Sequence, residues 1–299
     1  MISVLIPVYN YTIVALVKDL HQQLMSSKLA FEIIAWDDFS ENQFIIENSK
    51  INDFSHTHFE KSDKNYGRTQ TRQLLSNKAK YEWLLFLDAD VMPENSEYIQ
   101  NYVNLMPKNF QAVYGGFSYA PTPPEAVRIL RWKYGRSKEA IDANSRNEKP
   151  YKIVISANFM IKKSIFNFIN SDITDSGYGY DNYFGALLKQ HKITVFHVNN
   201  PVRHLGIESS ATFLHKKEAA ANTLLKLFQN DKIKEHENDL LSFFIRLKKF
   251  RLHYFFSYLY DAFGSAMRKN LLSENPSIPL MQLYRISYMC YKFNINRNT

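Results

Sequence analysis

The sequence predicts an α/β fold: a mostly parallel sheet with helices on both faces, followed by a helical C-terminal extension. Three observations support this. Short apolar runs of strand length alternate with amphipathic stretches over the first 120 residues, as in strand–helix–strand units. The hydrophobic share of 45% and the charged share of 22% are typical of globular proteins and exclude wholesale disorder. Polar residues follow the predicted strands, at the edge where such sheets bind ligands.

The elements of the first 120 residues follow in order. Runs of β-branched and aromatic residues predict strands at Ile2–Pro7, Phe31–Trp36, Trp83–Leu87 and Ala112–Phe117, with a weaker run at Thr57–Glu60. Apolar residues at helical spacing predict the intervening helices, at Tyr11–Met25, Glu41–Ile51, Arg68–Lys80 and Asn95–Leu105. This alternation requires crossover connections, so most neighbouring strands should run parallel.

The pattern is less regular further along the chain. It predicts a basic helix at Glu125–Lys138, a polar loop at Asn144–Pro150, a strand at Ile153–Ile161, a helix at Tyr183–His191 and a strand at Ile193–Val198. Helical patterns then cover Ser209–Gln229, roughly Asn238–Leu272, and Leu280–Lys292. We therefore expect an α/β domain over residues 1–230 and a basic, aromatic-rich helical extension over residues 231–299.

Positive charge is concentrated near the C-terminal end. The chain has 37 Lys and Arg against 29 Asp and Glu, a net charge of +8. Nine basic and two acidic residues follow residue 239, an excess of +7, so the remainder is almost neutral. This distribution argues against a nucleic-acid partner. The single cysteine, Cys290, excludes an intrachain disulfide and a cysteine-based metal cluster.

The sequence contains no recognisable targeting segment. Met1–Asn10 is apolar but lacks the basic start, long apolar stretch and small-residue cleavage site of a signal peptide. Leu252–Met267 contains His253 and Asp261 and is shorter than the ~20 residues that span a bilayer. We therefore expect a cytoplasmic protein, with peripheral contact to the inner face of the cell membrane as an open alternative.

Two carboxylates follow a strand in Asp88-Ala89-Asp90. A buried strand that delivers two carboxylates to a cleft is costly unless a cation neutralises them. Mg²⁺ and Mn²⁺ take oxygen ligands and bridge carboxylates to diphosphate oxygens. The alternative is a strand-end turn whose acids cap the next helix.

Two other segments carry polar residues at element boundaries. Asp37-Asp38-Phe39-Ser40 ends a strand, where a carboxylate can accept the imide hydrogen of uracil and Ser40 can cap the next helix. Asn65-Tyr66-Gly67-Arg68 leads into a helix in which Arg72 lies one turn later, suited to pair with phosphate. Taken singly, helix capping and a solvated helix face explain these residues more simply.

In their order and spacing, these segments together resemble family 2 glycosyltransferases of the GT-A fold. The resemblance begins at Pro7-Val8-Tyr9-Asn10 and includes the segments above. It continues through Ser156-Ala157-Asn158-Phe159 and Gly177-Tyr178-Gly179-Tyr180-Asp181-Asn182 to Pro201-Val202-Arg203-His204. It covers about residues 1–227 and implies a Rossmann-like mixed sheet and inverting, metal-dependent transfer from a nucleotide sugar.

The resemblance implies a role for each matching residue. The implied donor-binding residues are Pro7 and Tyr9 around the nucleoside, Asp37 and Asp38 at the uracil, Arg72 at the base or diphosphate, and Asp88 at the ribose or metal. The implied ligands of Mn²⁺ or Mg²⁺ are Asp90 and His204, and the implied catalytic base is Asp181. Gly116 and Asn158 would shape the pocket for the sugar or the acceptor.

The chain departs from the family pattern at two places. Many relatives have adjacent Glu and Asp where this chain has Tyr180-Asp181-Asn182, which leaves the register of the base open, with Asp175 as the neighbouring alternative. Phe39 stands where relatives often carry glycine, so the pocket for the base is narrower.

The combined interpretation is a metal-dependent inverting glycosyltransferase of hexosyl or N-acetylhexosaminyl type. The expected donor is a UDP-sugar, and the expected acceptor is a glycan or lipid-linked saccharide in surface polysaccharide synthesis. One alternative is a nucleotidyltransferase on a similar sheet, although Pro7–Leu16 lacks the glycine of a phosphate loop. The other is a catalytically silent glycan- or membrane-binding protein, against which the joint presence of Asp88, Asp90, Asp181 and His204 argues.

Two basic segments keep alternatives open. Basic residues recur at near-helical spacing within Glu125–Lys138, which favours a solvated face over a site for a phosphorylated or acidic acceptor. The stretch Asp239–Leu272 interleaves aromatic and basic residues. It would lie on an anionic membrane surface, form a homodimer with a second copy, or pack across the catalytic domain.

Overall fold

The computed structural model describes residues 1–173 and 177–298 of the chain, so Asp175 lies outside the described residues. A seven-stranded sheet forms its centre. The strands in chain order are β1 (Ile2–Val8), β2 (Phe31–Asp37), β3 (Thr57–Lys61), β4 (Trp83–Leu87), β6 (Ala112–Tyr114), β8 (Asn158–Lys162) and β9 (Val195–His197). Their order across the sheet is β3-β2-β1-β4-β8-β6-β9. Only the pairings of β8 with β4 and β6 are antiparallel in this sheet, which confirms the predicted mixed, mostly parallel topology.

A second sheet of three short strands lies beside the end of β4. It is formed by β5 (Val91–Pro93), β7 (Phe117–Ser118) and β10 (Val202–His204), in the order β5-β10-β7. In the antiparallel pairing of β5 with β10, Val91 lies opposite His204. The predicted strand Ala112–Phe117 is interrupted at Gly116, whose positive φ of 93° turns the chain from the large sheet into the small one.

Twelve helices lie within the described residues. In chain order they are α1 (Val14–Ser26), α2 (Asn42–Ser49), α3 (Arg68–Lys78), α4 (Tyr98–Val103), α5 (Ile129–Lys138), α6 (Ala143–Asn147), α7 (Lys163–Ser171), α8 (Tyr180–Gln190), α9 (Ser210–Gln229), α10 (Asp239–Lys249), α11 (His253–Leu271) and α12 (Ile278–Asn298). Within the described parts of the chain, no helix has both the length and the apolarity that crossing a bilayer requires.

The helices differ from the predicted ones in two places. The predicted loop Asn144–Pro150 is partly helical, because the Asp142 side chain accepts the backbone N–H of Asn144 and caps α6. The single pattern Asn238–Leu272 is divided into α10 and α11, because Arg251 adopts a positive φ of 60° and ends the first helix.

Alternate side chains of the strands enter hydrophobic clusters on opposite faces of the sheet. Val4 and Leu85 pack beneath α1 and α4, whereas Leu5 and Phe86 pack on the other face beneath α3, α7 and α8. The second cluster also contains buried side chains from the predicted extension: Leu241, Phe244, Leu247, Ile286, Met289, Cys290 and Phe293. The extension therefore contributes to the same core as the sheet, while the domain boundary at residue 230 stays a prediction.

This shared core leads to a prediction about stability. Phe244 is fully buried between Phe228 and Phe293, with ring centroids 5.8 and 5.2 Å away. Phe244→Ala should lower the free energy of unfolding of the full chain by about 3–5 kcal/mol, the usual cost of truncating a buried aromatic side chain. Phe243→Ala is the matched control, because that neighbouring ring is 44% exposed and should cost far less.

Urea unfolding followed by circular dichroism measures both variants. We expect one cooperative transition that shifts in Phe244→Ala. If the main transition of Phe244→Ala stayed where it is in the wild type, and the C-terminal helices unfolded in a separate, smaller transition at lower urea, the extension would be a separate domain.

Candidate active site

A cleft of about 1200 Å³ opens beyond the carboxyl end of β4. Four of the predicted site residues line it: Asp88, Asp90, Asp181 and His204. They come from the loop after β4, the first turn of α8 and the end of β10. The fold thus brings together side chains that are up to 116 positions apart in the sequence, at the sheet edge where ligands of α/β folds bind.

Asp88 is held by two arginines from α3. The Arg72 guanidinium donates a hydrogen bond to one carboxylate oxygen, and Arg68 lies 3.5 Å from the other. Burial alone would raise the pKa of Asp88, but the charges of Arg72 and Arg68 outweigh it and hold that pKa below its usual range. Asp88 is therefore ionised, and Arg72 pairs with this carboxylate, while its contact with the base or diphosphate stays a prediction.

Asp90 and His204 form the second pair in the cleft. The pairing of β5 with β10 brings the Asp90 carboxylate to 3.6 Å from Nε2 of His204, and the Leu205 N–H donates to the Asp90 carbonyl at 2.8 Å. Burial and the neighbouring charge of Asp88 raise the pKa of Asp90 to about 6. Burial, with Arg131 nearby, lowers the pKa of His204 to about 4. At neutral pH the pair is a carboxylate beside a neutral imidazole.

This pair fits a divalent cation. A carboxylate oxygen and a neutral imidazole nitrogen are both ligands of Mn²⁺, and a cation would offset the burial and the repulsion from Asp88 that together raise the pKa of Asp90. The backbone at Gly206 approaches Asp90 so closely that a Cβ there would overlap the carboxylate. Across the described residues, no group of three or more His, Cys, Asp or Glu side chains forms a metal site, so the remaining ligands would come from substrate or water.

Asp181 lies in the first turn of α8, which begins after Gly179 in a left-handed conformation with φ of 102°. Its side chain is exposed to the cleft, whereas Tyr180 is buried. Asn182 is held in place, since it donates to the Gly179 carbonyl at 3.2 Å and accepts from Asn238 at 2.8 Å. At the start of α8, Asp181 thus directs a carboxylate at the cleft, whereas Tyr180 and Asn182 are engaged within the protein.

The residues predicted around the nucleoside lie beyond β1 and β2. Asp37 is buried and accepts the Ser40 N–H at 2.8 Å, so it does cap the next segment, as the simpler interpretation proposed. Its second oxygen has no hydrogen-bond partner among the described residues. Both oxygens of Asp38 accept backbone N–H groups, those of Tyr66 at 2.7 Å and Gly67 at 2.8 Å. Asp38 therefore fixes the loop that leads into α3.

Tyr9, Pro7 and Phe39 complete this region. Tyr9 is exposed, and Pro7 on β1 is partly buried. Phe39 has a positive φ of 70°, a left-handed backbone conformation that glycine adopts more readily than phenylalanine. Its ring is 57% exposed, so the larger side chain projects outward from the turn and does not fill a buried pocket.

Asn158 and Gly116 lie below the cleft and do not contact it directly. Asn158 is fully buried, its oxygen accepts from Tyr98 and Tyr102, and its amide donates to the carbonyls of Gly116 and Asn200. All its hydrogen-bonding capacity is thus used within the protein. In this structure Asn158 and Gly116 belong to a buried hydrogen-bond network, and their contact with sugar or acceptor stays a prediction.

Sequence reasoning missed the buried polar pair beneath the cleft. Arg146 is fully buried, donates to the carbonyls of Tyr114 at 3.2 Å and Val198 at 2.8 Å, and contacts Nδ1 of His197 at 2.8 Å. Nε2 of His197 donates to the Pro150 carbonyl at 2.9 Å. A lone arginine within a polar segment carries no signal of burial, because its partners are distant in the sequence.

The basic helix also differs from its prediction. Arg131 is buried, pairs with Glu139 at 3.0 Å and donates to the Tyr119 hydroxyl at 2.9 Å, so the predicted solvated face does not include it. The Tyr119 ring stacks on His204, with centroids 5.8 Å apart. This chain of contacts connects α5 to the Asp90–His204 pair.

Comparison with known proteins agrees with this geometry. The model of Glycosyl transferase family 2 matches residues 3–169, which is more than half of the chain. An uncharacterized glycosyltransferase of Haemophilus influenzae is 29% identical over 252 residues, covering 79% of this chain and 76% of that protein. The family match ends before Asp181 and His204, so it does not cover these two predicted site residues.

Solved structures share the fold. A mannosyltransferase of Pyrobaculum calidifontis, PcManGT, in complex with GDP-Man and Mn²⁺ has a TM-score of 0.56 at 12% identity, with 96% of this chain and 85% of that chain covered. S. aureus TarS 1-349 in complex with UDP-GlcNAc has a TM-score of 0.50 at 14% identity, with 100% and 92% covered. The chain spans 39% of a longer TarS chain.

The pair beneath the cleft leads to a pH-dependent prediction. Burial lowers the pKa of His197 to about 4, below the ordinary value of 6.5, so the unfolded chain binds a proton there first as the pH falls. The free energy of unfolding should therefore fall between pH 6.5 and pH 4, by about 3 kcal/mol from this group.

His197→Gln isolates that contribution, because it removes the titrating ring while other groups, including His204, titrate in both proteins. Urea unfolding at several pH values should show a shallower loss of stability for the variant. Parallel pH profiles for the two proteins would exclude His197 as the source.

Proposed function

Because the chain belongs to glycosyl transferase family 2, we propose that it is an inverting, metal-dependent enzyme of this family with a UDP-sugar as its donor. The proposed acceptor is a glycan or lipid-linked saccharide of a surface polysaccharide. The observation that supports this most is the Asp90–His204 pair, which shares a cleft with Asp88 and Asp181. Membership of a glycosyltransferase family argues against the nucleotidyltransferase alternative, and the joint presence of Asp88, Asp90, Asp181 and His204 in one cleft argues against a silent binder.

We propose that Asp90 and His204 would hold Mn²⁺ or Mg²⁺, which when bound supplies charge stabilisation to the leaving diphosphate. Asp88, fixed by Arg72, keeps a negative charge beside Asp90 and so favours a cation there. Arg68 is about half exposed beside Asp88 and adds a positive group facing the cleft. The bound cation and the Arg68 guanidinium would give the diphosphate a polar, preorganised environment.

Asp181 is proposed to take the proton of the acceptor hydroxyl. The acceptor oxygen bonds to the anomeric carbon, the bond from that carbon to the diphosphate oxygen breaks, and its electron pair leaves with UDP. Attack from the face opposite the leaving group inverts the configuration. Support for this role comes from the exposure of Asp181 to the cleft, while Asn182 is engaged by Asn238.

The choice of uridine rests on Asp37 and Asp38 near the nucleoside end. The two related structures contain GDP-Man and UDP-GlcNAc, so the shared fold alone does not select a base. The unpartnered, buried oxygen of Asp37 is an acceptor that an imide N–H would satisfy. We therefore propose Asp37 as the uracil contact, with Asp38 in the supporting position that its two backbone hydrogen bonds indicate.

The proposed metal ligands lead to a binding prediction. Asp90→Ala and His204→Ala should each greatly weaken UDP binding in the presence of Mn²⁺ without unfolding the chain. The matched control is Glu94→Gln, which removes a carboxylate that directly follows β5 and pairs with Arg203 at 2.9 Å. Calorimetric titration with UDP and with GDP measures both the metal dependence and the base preference. Unchanged UDP affinity in both alanine variants would overturn the assignment.

The proposed base leads to a kinetic prediction. Removing a positioned general base typically lowers the rate ~10²–10⁴-fold while the donor still binds. Asp181→Asn should therefore keep its UDP affinity and lose sugar transfer, followed as UDP release from a panel of UDP-sugars with Mn²⁺. The control is Glu148→Gln, since Glu148 is an exposed carboxylate of the same cleft. Near-normal transfer by the Asp181 variant, or loss in the control, would move the role elsewhere.

We further propose that an anionic membrane surface contacts the turn between α10 and α11. Exposed aromatic and apolar side chains cluster there, namely Phe250, Leu252, Tyr254, Phe255 and Tyr258, each 50–68% exposed. Exposed cations flank them, namely Arg246, Lys249 and Arg251. A second copy of the chain on this face would bring like charges together, which favours anionic lipid over the homodimer.

This surface gives a flotation prediction. The full chain should bind vesicles containing anionic lipid at low salt and be released at high salt, because each exposed cation adds ~1 kcal/mol at most and salt screens it. Phe255→Ser with Tyr258→Ser should abolish binding. The control Phe168→Ser, on α7 and also 51% exposed, should float like the wild type. No flotation of the wild type at low salt would instead favour the homodimer, which light scattering detects.

A further inference from the structure

Three cations from three helices surround Tyr134 in the cleft. They are Arg131 from α5, Lys217 from α9 and Arg285 from α12, and all four residues line the same cleft as Asp90 and Asp181. Nζ of Lys217 lies 4.4 Å from the centre of the Tyr134 ring, and Arg285 donates to the Tyr134 hydroxyl at 3.3 Å. These three residues are called the cation cluster below.

The cation cluster has more positive charge than its surroundings neutralise. Glu139 is its carboxylate, pairing with Arg131 at 3.0 Å and with Lys217 at 3.7 Å. Arg285 contacts neutral groups, the Tyr134 hydroxyl and the Gln282 amide oxygen, and its buried Nε has no hydrogen-bond partner among the described residues. Three cations against one carboxylate in a partly buried site are costly unless an anion binds there.

The lowered pKa of Tyr134 agrees with this excess of positive charge. Burial would raise the pKa of the Tyr134 hydroxyl, but Arg285 and Lys217 outweigh it and lower that pKa. A net positive potential therefore acts at the centre of the cation cluster, which suits a phosphate more than a neutral sugar.

The cation cluster is adjacent to the Asp90–His204 pair. Tyr119 stacks on His204, accepts from Arg131 at 2.9 Å and donates to Glu139. The Tyr119 side chain thus lies between the proposed metal ligands and the cation cluster and contacts both. A ligand whose sugar reached the metal side could place an anionic group at Lys217 and Arg285.

On its other side, the cleft has apolar walls. They are lined by Leu240, Phe243, Phe256, Leu283 and Ile286. Leu283 and Ile286 flank Arg285 on α12, and Phe243 and Phe256 meet edge to face with centroids 6.0 Å apart. Phe243 and Phe256 belong to α10 and α11, the helices whose connecting turn forms the proposed membrane surface. Such walls suit a hydrocarbon chain and have no role for a polar glycan.

We propose that the acceptor is a saccharide carried on a lipid phosphate or diphosphate, with its phosphate at Lys217 and Arg285 and its lipid along the Phe243–Phe256 wall. This inference rests on the proposed function, whose acceptor it narrows. The single cleft offers carboxylates at the reacting end, cations next to them and apolar walls beyond. An acidic glycan would contact only the cations. The apolar walls therefore favour a lipid-linked acceptor over an acidic glycan.

The test is direct binding of farnesyl diphosphate to the full chain, with farnesol and inorganic diphosphate as probes that each lack one half. Metal-free buffer with chelator prevents binding through a cation at Asp90. Farnesyl diphosphate should bind at least about tenfold more tightly than farnesol, which lacks the charge-assisted contacts, and than inorganic diphosphate, which lacks the buried hydrocarbon chain. Calorimetry or tryptophan fluorescence measures all three affinities.

Variants separate the two halves of the site. Arg285→Gln with Lys217→Gln should weaken farnesyl diphosphate binding at least about tenfold, and Arg285→Lys should retain most of it. Phe243→Ser should weaken farnesyl diphosphate but leave inorganic diphosphate unaffected. The control Lys232→Gln, on an exposed loop, should change nothing. Thermal melting of each variant separates loss of binding from loss of fold, and Arg285→Lys provides the test if the double variant does not fold.

Three results would overturn the inference. They are inorganic diphosphate binding as tightly as farnesyl diphosphate, farnesol binding as tightly as farnesyl diphosphate, and a folded double variant that keeps the wild-type affinity for farnesyl diphosphate. The first of these would point to an acidic glycan or a free anion. UDP binding with Mn²⁺, measured on the same proteins, keeps the two proposals apart. Its absence in the wild type defeats the proposed donor chemistry, whereas its presence without binding of the lipid probe defeats only the acceptor inference.

Discussion

The charge balance of the two carboxylates after β4 is the constraint on which the rest of the cleft depends. Asp88 is compensated from within the protein by Arg72 and Arg68. Asp90 is not: it faces a neutral imidazole at 3.6 Å, and the charge of Asp88 helps to raise its pKa to about 6. Asp88 and Asp90 of one motif thus differ, since the first is neutralised by arginines of this chain and the second lies beside a neutral imidazole, where we propose that a cation binds.

That difference depends on backbone geometry which the sequence does not reveal. The large sheet was predictable because its longer strands show continuous apolar runs, and most helices showed their 3.6-residue period. The strands of the small sheet are two or three residues long, too short for any period, yet their register brings His204 to Asp90. The residue types at the site were therefore predictable, whereas the contact that gives them their chemistry was not.

Asn158 shows the corresponding limit of a motif match. Its place in the family pattern predicted contact with a ligand, but it is fully buried and bonded to Tyr98, Tyr102, Gly116 and Asn200. A buried amide is recognised only through its partners, which lie more than 40 positions away on either side. The division between α10 and α11 was also not predictable. It follows from the left-handed conformation of Arg251, and the sequence has no glycine or proline there to signal it.

The C-terminal helices connect the core, the cleft and the surface. On one side of α12, Met289 and Phe293 complete the hydrophobic cluster of the sheet, while Arg285 reaches Tyr134 in the cleft. Burial fixes the helix, so the guanidinium is held in position without an acidic partner of its own. Phe243 and Phe256 of α10 and α11 line the same cleft as that cation, and other aromatic residues of these helices are exposed. The fold thus divides the basic and aromatic residues of this part of the sequence between the cleft, where we propose an anion site, and the exterior, where we propose contact with a membrane.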